Sequence, residues 1–499
     1  MDSPVFSKLQ EIMEATGRSQ DWFGMAEQAI NTIYLLGEQP DVICDTVIKR
    51  LAARVFETPS NKTTSEGALE TEGMEVDGAA DATLSNSAQT DSDDMCDAFL
   101  LSQLVFVVGH VAIKHLVYLE LVEREMKRRK DVAAKEKGAN TSSPAQSKDG
   151  EELDQVAGNA EDEIGDLIAS VREDEMMFSP NSLLATFGPM ITHICLNPPM
   201  FKHQVLRTSA ALSLSKLMCI SSKFCEENLL LLLRMLETSR DPNIRSNIVI
   251  ALGDIAVCFS TLIDENSDRL YKGLSDRDLT VKKNTLMVLT HLILNGMVKV
   301  KGQLGEMAKC LEDEDRRVSD LAKLFFTELS TKDNAIYNNI QDVISHLSVG
   351  PHAVDEEIFQ STMKYIFNFI EKEKQAENLV EKLCQRFRDT TDEKQWRNIA
   401  FCLSLLPYKS ERSLKKLIEA LPFYQDKLRE ETVYNRFTEI LQKARTNKSA
   451  NKPDNEMKEF EKILTDFKEQ GQEDQALEKR VEIKKAVAKR RAVRKAARK

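Results

Sequence analysis

DPNIRSNIVIALGDIAVCF (241–259), DLTVKKNTLMVLTHLILNG (278–296) and DRRVSDLAKLFFTELSTKD (315–333) decide the fold of this chain. Each opens on an aspartate, and Asp241, Asp278 and Asp315 recur every 37 residues. Three residues further on stands a β-branched aliphatic: Ile244, Val281 or Val318. The register continues through Ile248/Thr285/Ala322, Ala251/Val288/Phe325, Leu252/Leu289/Phe326 and Ile255/Leu292/Leu329. Positions spaced this way share one face of an α-helix, so each stretch predicts an amphipathic helix that buries a stripe.

A fourth copy lies upstream, where Arg207, Ala210, Leu214 and Leu217 match Arg245, Ile248, Leu252 and Ile255 one residue out of step. Ahead of each helix runs a second apolar helical segment, at Asn228–Leu236, Ser267–Leu274 and Leu304–Leu311. The repeat is therefore a helical hairpin. One hairpin cannot bury its own apolar face, so neighbours must stack, and a period of this length without strand signals predicts an all-α HEAT/armadillo-type α-solenoid. Extended surfaces of this kind bind rather than catalyse.

Composition agrees. The 499 residues include 19 glycines and 13 prolines, and aromatics make up 6 %, the balance of a helical protein rather than of large sheets. None of the nine cysteines forms a C-x-x-C pair, and they read as reduced core residues of an intracellular protein. The opening MDSPVFSKLQEIME has no long apolar stretch and predicts no secretion signal. FLLSQLVFVVGHVAIKHLVYLELV (99–122) has the length of a membrane span. Gln103, His110, Lys114, His115 and Glu120 inside it argue for a helix buried in the solenoid and no membrane contact.

The chain divides by composition. Residues 1–56 predict helical hairpins, with a Gly-Glu-Gln-Pro break at 37–40. Residues 57–97, rich in Ser, Thr, Gly and acids, predict a disordered acidic insert. A long helix is expected over 98–137, then a mostly disordered acidic linker over 138–180 in which Glu161–Glu175 form a short solvated helix. The HEAT array runs from 181 to 445, its later helices expected at Asp355–Glu371, Gln375–Arg388, Glu393–Leu406, Ser413–Leu421 and Asp426–Ala444. A linker and a charged helix with a basic tail close the chain over 446–499.

No nucleotide-binding, metalloprotease or nucleophile-elbow motif is present, and the seven histidines show no metal-ligand spacing. The expectation is a chain without catalytic residues, cofactor or metal. Asp241, Asp278 and Asp315 are placed to cap helix N-termini, with Arg245, Lys282 and Ser319 one turn in. The cations can pair with the acid of the next repeat as an inter-repeat ladder; alternatively Arg207, Arg245, Lys282 and Lys283 face DNA. The tail carries Lys479, Arg480, Lys484, Lys485, Lys489, Arg490, Arg491, Arg494, Lys495, Arg498 and Lys499 against one acid, Glu482, in a chain of net charge −12. That asymmetry predicts an import-receptor contact, a DNA or chromatin contact without sequence preference, or a solvated helix. Thr58, Ser143 and Ser179, each followed by proline, are candidate phosphorylation sites.

The runs EQAINTIYLLGEQPDVIC (27–44), LVFVVGHVAIKHLVYLE (104–120), DPNIRSNIVIALGDIAVCF (241–259) and the stretch from Leu274 to Leu347 resemble the condensin subunit 1 family, the larger HEAT-repeat regulatory subunits of condensin I. The resemblance implies a non-catalytic subunit that joins the kleisin and the SMC ATPase subunits, binds chromatin and double-stranded DNA, and promotes mitotic chromosome condensation under control by phosphorylation. It implies residence in the nucleus and on mitotic chromosomes, with a cytoplasmic pool. It also implies that this chain corresponds to the C-terminal part of longer proteins. Competing readings are a nuclear transport adaptor and another chromosome-associated HEAT scaffold, of condensin II or cohesin.

Overall fold

The computed structural model describes residues 4–15, 17–56, 87–139, 163–299, 303–332, 334–409, 411–446 and most of 457–469. Among these, every regular element is helical. The chain forms two compact units, Met1–Leu292 and Ile293–Lys499.

In the first unit the aspartates start helices by the chemistry their position suggests. Asp241 Oδ1 accepts the Asn243 amide at 2.9 Å with Pro242 at the first helical position, opening Pro242–Cys258. Asp278 Oδ1 accepts the Thr280 and Val281 amides at 2.9 and 3.2 Å, opening Leu279–Leu294. The upstream copy, Gln204–Met218, is capped by a histidine instead, His203 Nδ1 accepting the Leu206 amide at 3.4 Å. Of the ten stripe positions in these two aspartate-capped helices nine are buried, and Val288 is half-buried where it packs on Gly253. Side-chain hydrogen bonds join residues one repeat apart: Thr192 to Asn228, Gln204 to Asp241 and Asn284 to Ser246, separated by 36, 37 and 38 residues. Contacts at one-period separation are the mark of nearest-neighbour stacking.

The long helix is Ser87–Ala139, so it begins inside the stretch read as an insert. Its segment Ala98–Ala133 is long and apolar enough to cross a membrane, but 67 % of its apolar window is buried, against Asp21–Leu36, Pro40–Phe56, Leu183–Leu196 and Gln204–Met218. Gln103 and His110 within it have partners. Gln103 Nε2 donates to the Gly17 carbonyl at 3.1 Å, and His110 bridges Asn31 Oδ1 and Lys216 Nζ, each at 3.1 Å.

Residues 163–178 are helical, with a π-turn at Val171–Glu175. Glu163, Asp166, Asp174 and Glu175 are exposed, as a solvated helix requires, and Glu173 is the described acid there that is docked. Met176 and Met177 are buried. Glu173 Oε2 accepts Ser221 Oγ at 2.9 Å, the Ser222 amide at 2.8 Å and Ser222 Oγ at 3.1 Å, placing a carboxylate at the start of helix Ser222–Thr238, where the helix dipole favours it. Another correction concerns Cys258: it is exposed, while the other described cysteines are buried.

The second unit carries the same grammar. Asp315 Oδ1 caps Arg316–Ser330 through the Arg317 and Val318 amides at 2.9 and 3.3 Å, and Val318, Ala322, Phe325, Phe326 and Leu329 are all buried. The later helices are Glu356–Phe367, Glu373–Asp389, Glu393–Leu405, Glu411–Glu419 and Glu431–Thr446, within a few residues of the sequence reading for all but the last start, where a 3₁₀ turn at Gln425–Arg429 intervenes. Arg397 reaches Glu356 at 3.2 Å and Glu430 at 3.8 Å, tying three successive layers.

Candidate partner-binding surface

The cations of the repeat fall into distinct environments. Arg245 is spent on packing. Its Nε and Nη2 donate to Asp276 Oδ2 and Oδ1, each at 2.8 Å, and Nη1 donates to the Ser239 carbonyl at 2.9 Å. The ladder partner is thus Asp276, two residues ahead of the cap, not Asp278. The signal was present as Asp276-Arg277-Asp278 and Asp313-Glu314-Asp315, which repeat an acid two positions before the cap. Asp276 also accepts the Asp278 amide at 2.8 Å, and Asp313 accepts the Asp315 amide at 3.0 Å.

Burial opposes ionisation of Asp276, but the bonds from Arg245 and from the Asp278 amide outweigh it and hold the carboxyl below its ordinary range. The sign follows: the native state releases this proton more readily than the unfolded chain, so the stabilisation is complete above about pH 4 and lost as pH falls below it. Arg245→Gln is expected to cost about 1–2 kcal/mol, read as a lower urea midpoint, with Asp276→Asn on the same background recovering part of the loss.

Arg207 occupies the matching position one repeat earlier and lines a cavity beside Pro198, Ser239 and Ile244. Lys282 and Lys283 are half-buried on Leu279–Leu294 and already engaged in polar contacts. With Arg245 consumed by Asp276, these four cations do not form one free basic patch. Ser179 is half-buried at the end of the 163–178 helix, its Oγ accepting the Asn181 amide at 3.4 Å. Thr58, Ser143 and the basic tail lie outside the described residues.

Sequence reading missed two features. Solvent-facing apolar residues repeat with the period: Ile250 and Met287, 44 % and 55 % exposed, hold the same register on adjacent helices, and Val257, two turns beyond Ile250, is 58 % exposed. In the second unit Leu324 holds that register and is 56 % exposed. The seven histidines gave no ligand spacing, yet the fold brings His346 Nε2 and His352 Nδ1 to Glu306 Oε1 at 2.6 and 2.7 Å. Lys309 Nζ sits on the same oxygen at 2.8 Å. An ammonium thus already balances that carboxylate, and the arrangement is that of an ion cluster joining helices.

Capped hairpins stacked one period apart, clamped by ion pairs between layers and showing apolar residues to solvent at a fixed register, define the class: an α-solenoid of the HEAT/armadillo type. The profile of the family described as non-SMC mitotic condensation complex subunit 1 matches residues 243–404. Condensin complex subunit 1 of Schizosaccharomyces pombe is 40 % identical over 416 residues, 83 % of this chain and 35 % of that protein. The Homo sapiens protein of the same name is 38 % identical over 453 residues, 88 % of this chain and 30 % of its own length. Among solved structures, a C-terminal fragment of the Chaetomium thermophilum cohesin loader SCC2 aligns with a TM-score of 0.39 at 14 % identity, covering 89 % of this chain and 34 % of that one. A designed armadillo repeat protein aligns with a TM-score of 0.25 at 18 % identity, covering 51 % of this chain and 99 % of that one. The chain belongs to the condensin subunit 1 family. It spans about a third of the length of the curated relatives it matches.

Proposed function

We propose that this chain is a non-catalytic part of a condensin regulatory subunit, which holds the kleisin and SMC ATPase subunits and contacts chromosomal DNA to promote mitotic chromosome condensation. The observation that carries this reading is identity of about 40 % along 83 % of the chain to condensin complex subunit 1. The exposed apolar register of Ile250 and Met287 supports a protein-binding role, because contiguous apolar surface left in water marks a site that another chain covers. Residence in the nucleus and on mitotic chromosomes, a cytoplasmic pool, and recognition of the basic tail by an import receptor belong to the same proposal.

The test is recovery of the tagged chain from mitotic extract, with mass spectrometry of what accompanies it. The SMC pair and the kleisin are expected. Ile250→Asp with Met287→Asp is expected to reduce their recovery severalfold at an unchanged thermal midpoint, because both side chains already face solvent. Nuclear carriers in place of the SMC pair and kleisin would instead establish a transport adaptor.

Duplex DNA binding is proposed to run through Lys484, Lys485, Lys489, Arg490, Arg491, Arg494, Lys495, Arg498 and Lys499 by phosphate neutralisation. Log K should then fall linearly with log salt at about −0.9 per phosphate contacted. Removal of residues 479–499 is expected to flatten that slope in a titration of a labelled duplex, and an unchanged slope would exclude the tail.

A further inference from the structure

Because one copy of the repeat can be laid on the next, a missing group shows. Counted from the helix caps His203 and Asp241, Arg207 and Arg245 hold the same position, four residues in. Arg245 reaches forward to the residue two places before the following cap, where Asp276 offers both carboxylate oxygens at 2.8 Å. For Arg207 that residue is Ser239, two places before Asp241. The carboxylate is absent, Ser239 Oγ is buried without a hydrogen-bond partner, and the Arg207 guanidinium makes no hydrogen bond or ion pair among the described residues.

Where the carboxylate would be there is space. A cavity of about 140 Å³ lies between Arg207 and Ser239, walled by apolar side chains that include Ile194, Ala210 and Ile244. It adjoins a second cavity that Arg207 also lines, together with Lys202, Arg240 and Asp241. The one acid there is occupied: Asp241 caps the Asn243 amide at 2.9 Å and accepts Gln204 Nε2 at 3.1 Å. Asp241 keeps its charge but lines the second cavity only; a guanidinium partly withdrawn from water, facing a first cavity whose lining holds no acid and with two further cations at its side, is a receptor for an anion.

We infer that this cavity takes an aspartate or glutamate side chain from an extended acidic segment of another protein chain, which supplies in trans the carboxylate that Asp276 supplies in cis one repeat later. The bidentate geometry of the Arg245–Asp276 pair sets the precedent for the group. Apolar walls favour a single side chain entering between helices, whereas the phosphates of a duplex lie along a thick, fully charged rod that such a slot cannot admit. The inference holds whichever partners the chain assembles with.

The experiment titrates the full chain into a fluorescein-labelled peptide of alternating aspartate and glycine, its asparagine counterpart, and a labelled DNA duplex, read by anisotropy. The aspartate peptide is expected to bind about tenfold more tightly than the asparagine peptide. Arg207→Gln should abolish that difference. Ser239→Asp should also abolish it, by restoring the internal pair, and should raise the thermal midpoint; if that variant does not fold, Arg207→Gln decides alone. Equal binding of the two peptides, aspartate preference surviving Arg207→Gln, or loss of duplex binding in place of peptide binding in that variant would overturn the inference.

Discussion

Gly109→Val is expected to lower the stability of the first unit by about 3 kcal/mol, more than an ordinary overpacked position. Gly109 lies on Ser87–Ala139 where that helix crosses Gln204–Met218. A β-carbon placed on it would stand 2.5 Å from Ser213 Cβ and 2.7 Å from Ser213 Cα. The second atom is backbone, so no rotamer change relieves the clash and the helices must part. Parting them also breaks the bond from Ser213 Oγ to the Val105 carbonyl, 2.8 Å long and closed over 108 residues of sequence. Gly24 makes the control, since a β-carbon there meets nothing within 4 Å on Asp21–Leu36. Gly24→Ala should therefore stabilise, by about 0.5–1 kcal/mol, through helix propensity. Urea unfolding followed by circular dichroism reads both signs, and a neutral Gly109→Val would show that the helices do not meet at this distance.

Acid is expected to destabilise the chain well above the range where carboxylates titrate. His110 is buried and lies beside Lys216 and Lys114; burial first, then these two cations, push its pKa down to about 3. Neutral His110 accepts from Lys216 Nζ at Nδ1 and donates from Nε2 to Asn31 Oδ1, which fixes its tautomer. The unfolded imidazole titrates near 6.5, so between pH 6.5 and 3 the unfolded chain binds a proton that the native chain refuses. Stability from this source is complete above pH 6.5 and falls as pH drops, by about 2 kcal/mol at pH 5. His115, lowered by burial against the opposing charge of Asp41, adds in the same direction. His110→Gln keeps a donor and an acceptor in place but does not titrate. Its unfolding midpoint should depend less on pH between 7 and 5 by about that amount, and an unchanged pH profile would place the proton elsewhere.

The sequence by itself determined the helices, their caps and the repeat, because each is set by residues within one or two turns of one another. Asp241, Asp278 and Asp315 bond to amides two or three residues away, and the stripe from Ile244 to Ile255 needs nothing but the helical pitch. Family membership was legible for the same reason, as it rests on the order of residues. Tertiary structure decided the pairings. The choice of Asp276 over Asp278 as the partner of Arg245 depends on where the next hairpin's turn falls in space. The neutrality of His110 depends on helices that bring Asn31 and Lys216 to it from 79 and 106 residues away. Burial of the apolar segment that has the length of a membrane span, the docking of Glu173 on a helix start, and the empty place opposite Arg207 have the same origin. Each is a distance between groups remote in sequence, which local periodicity does not encode.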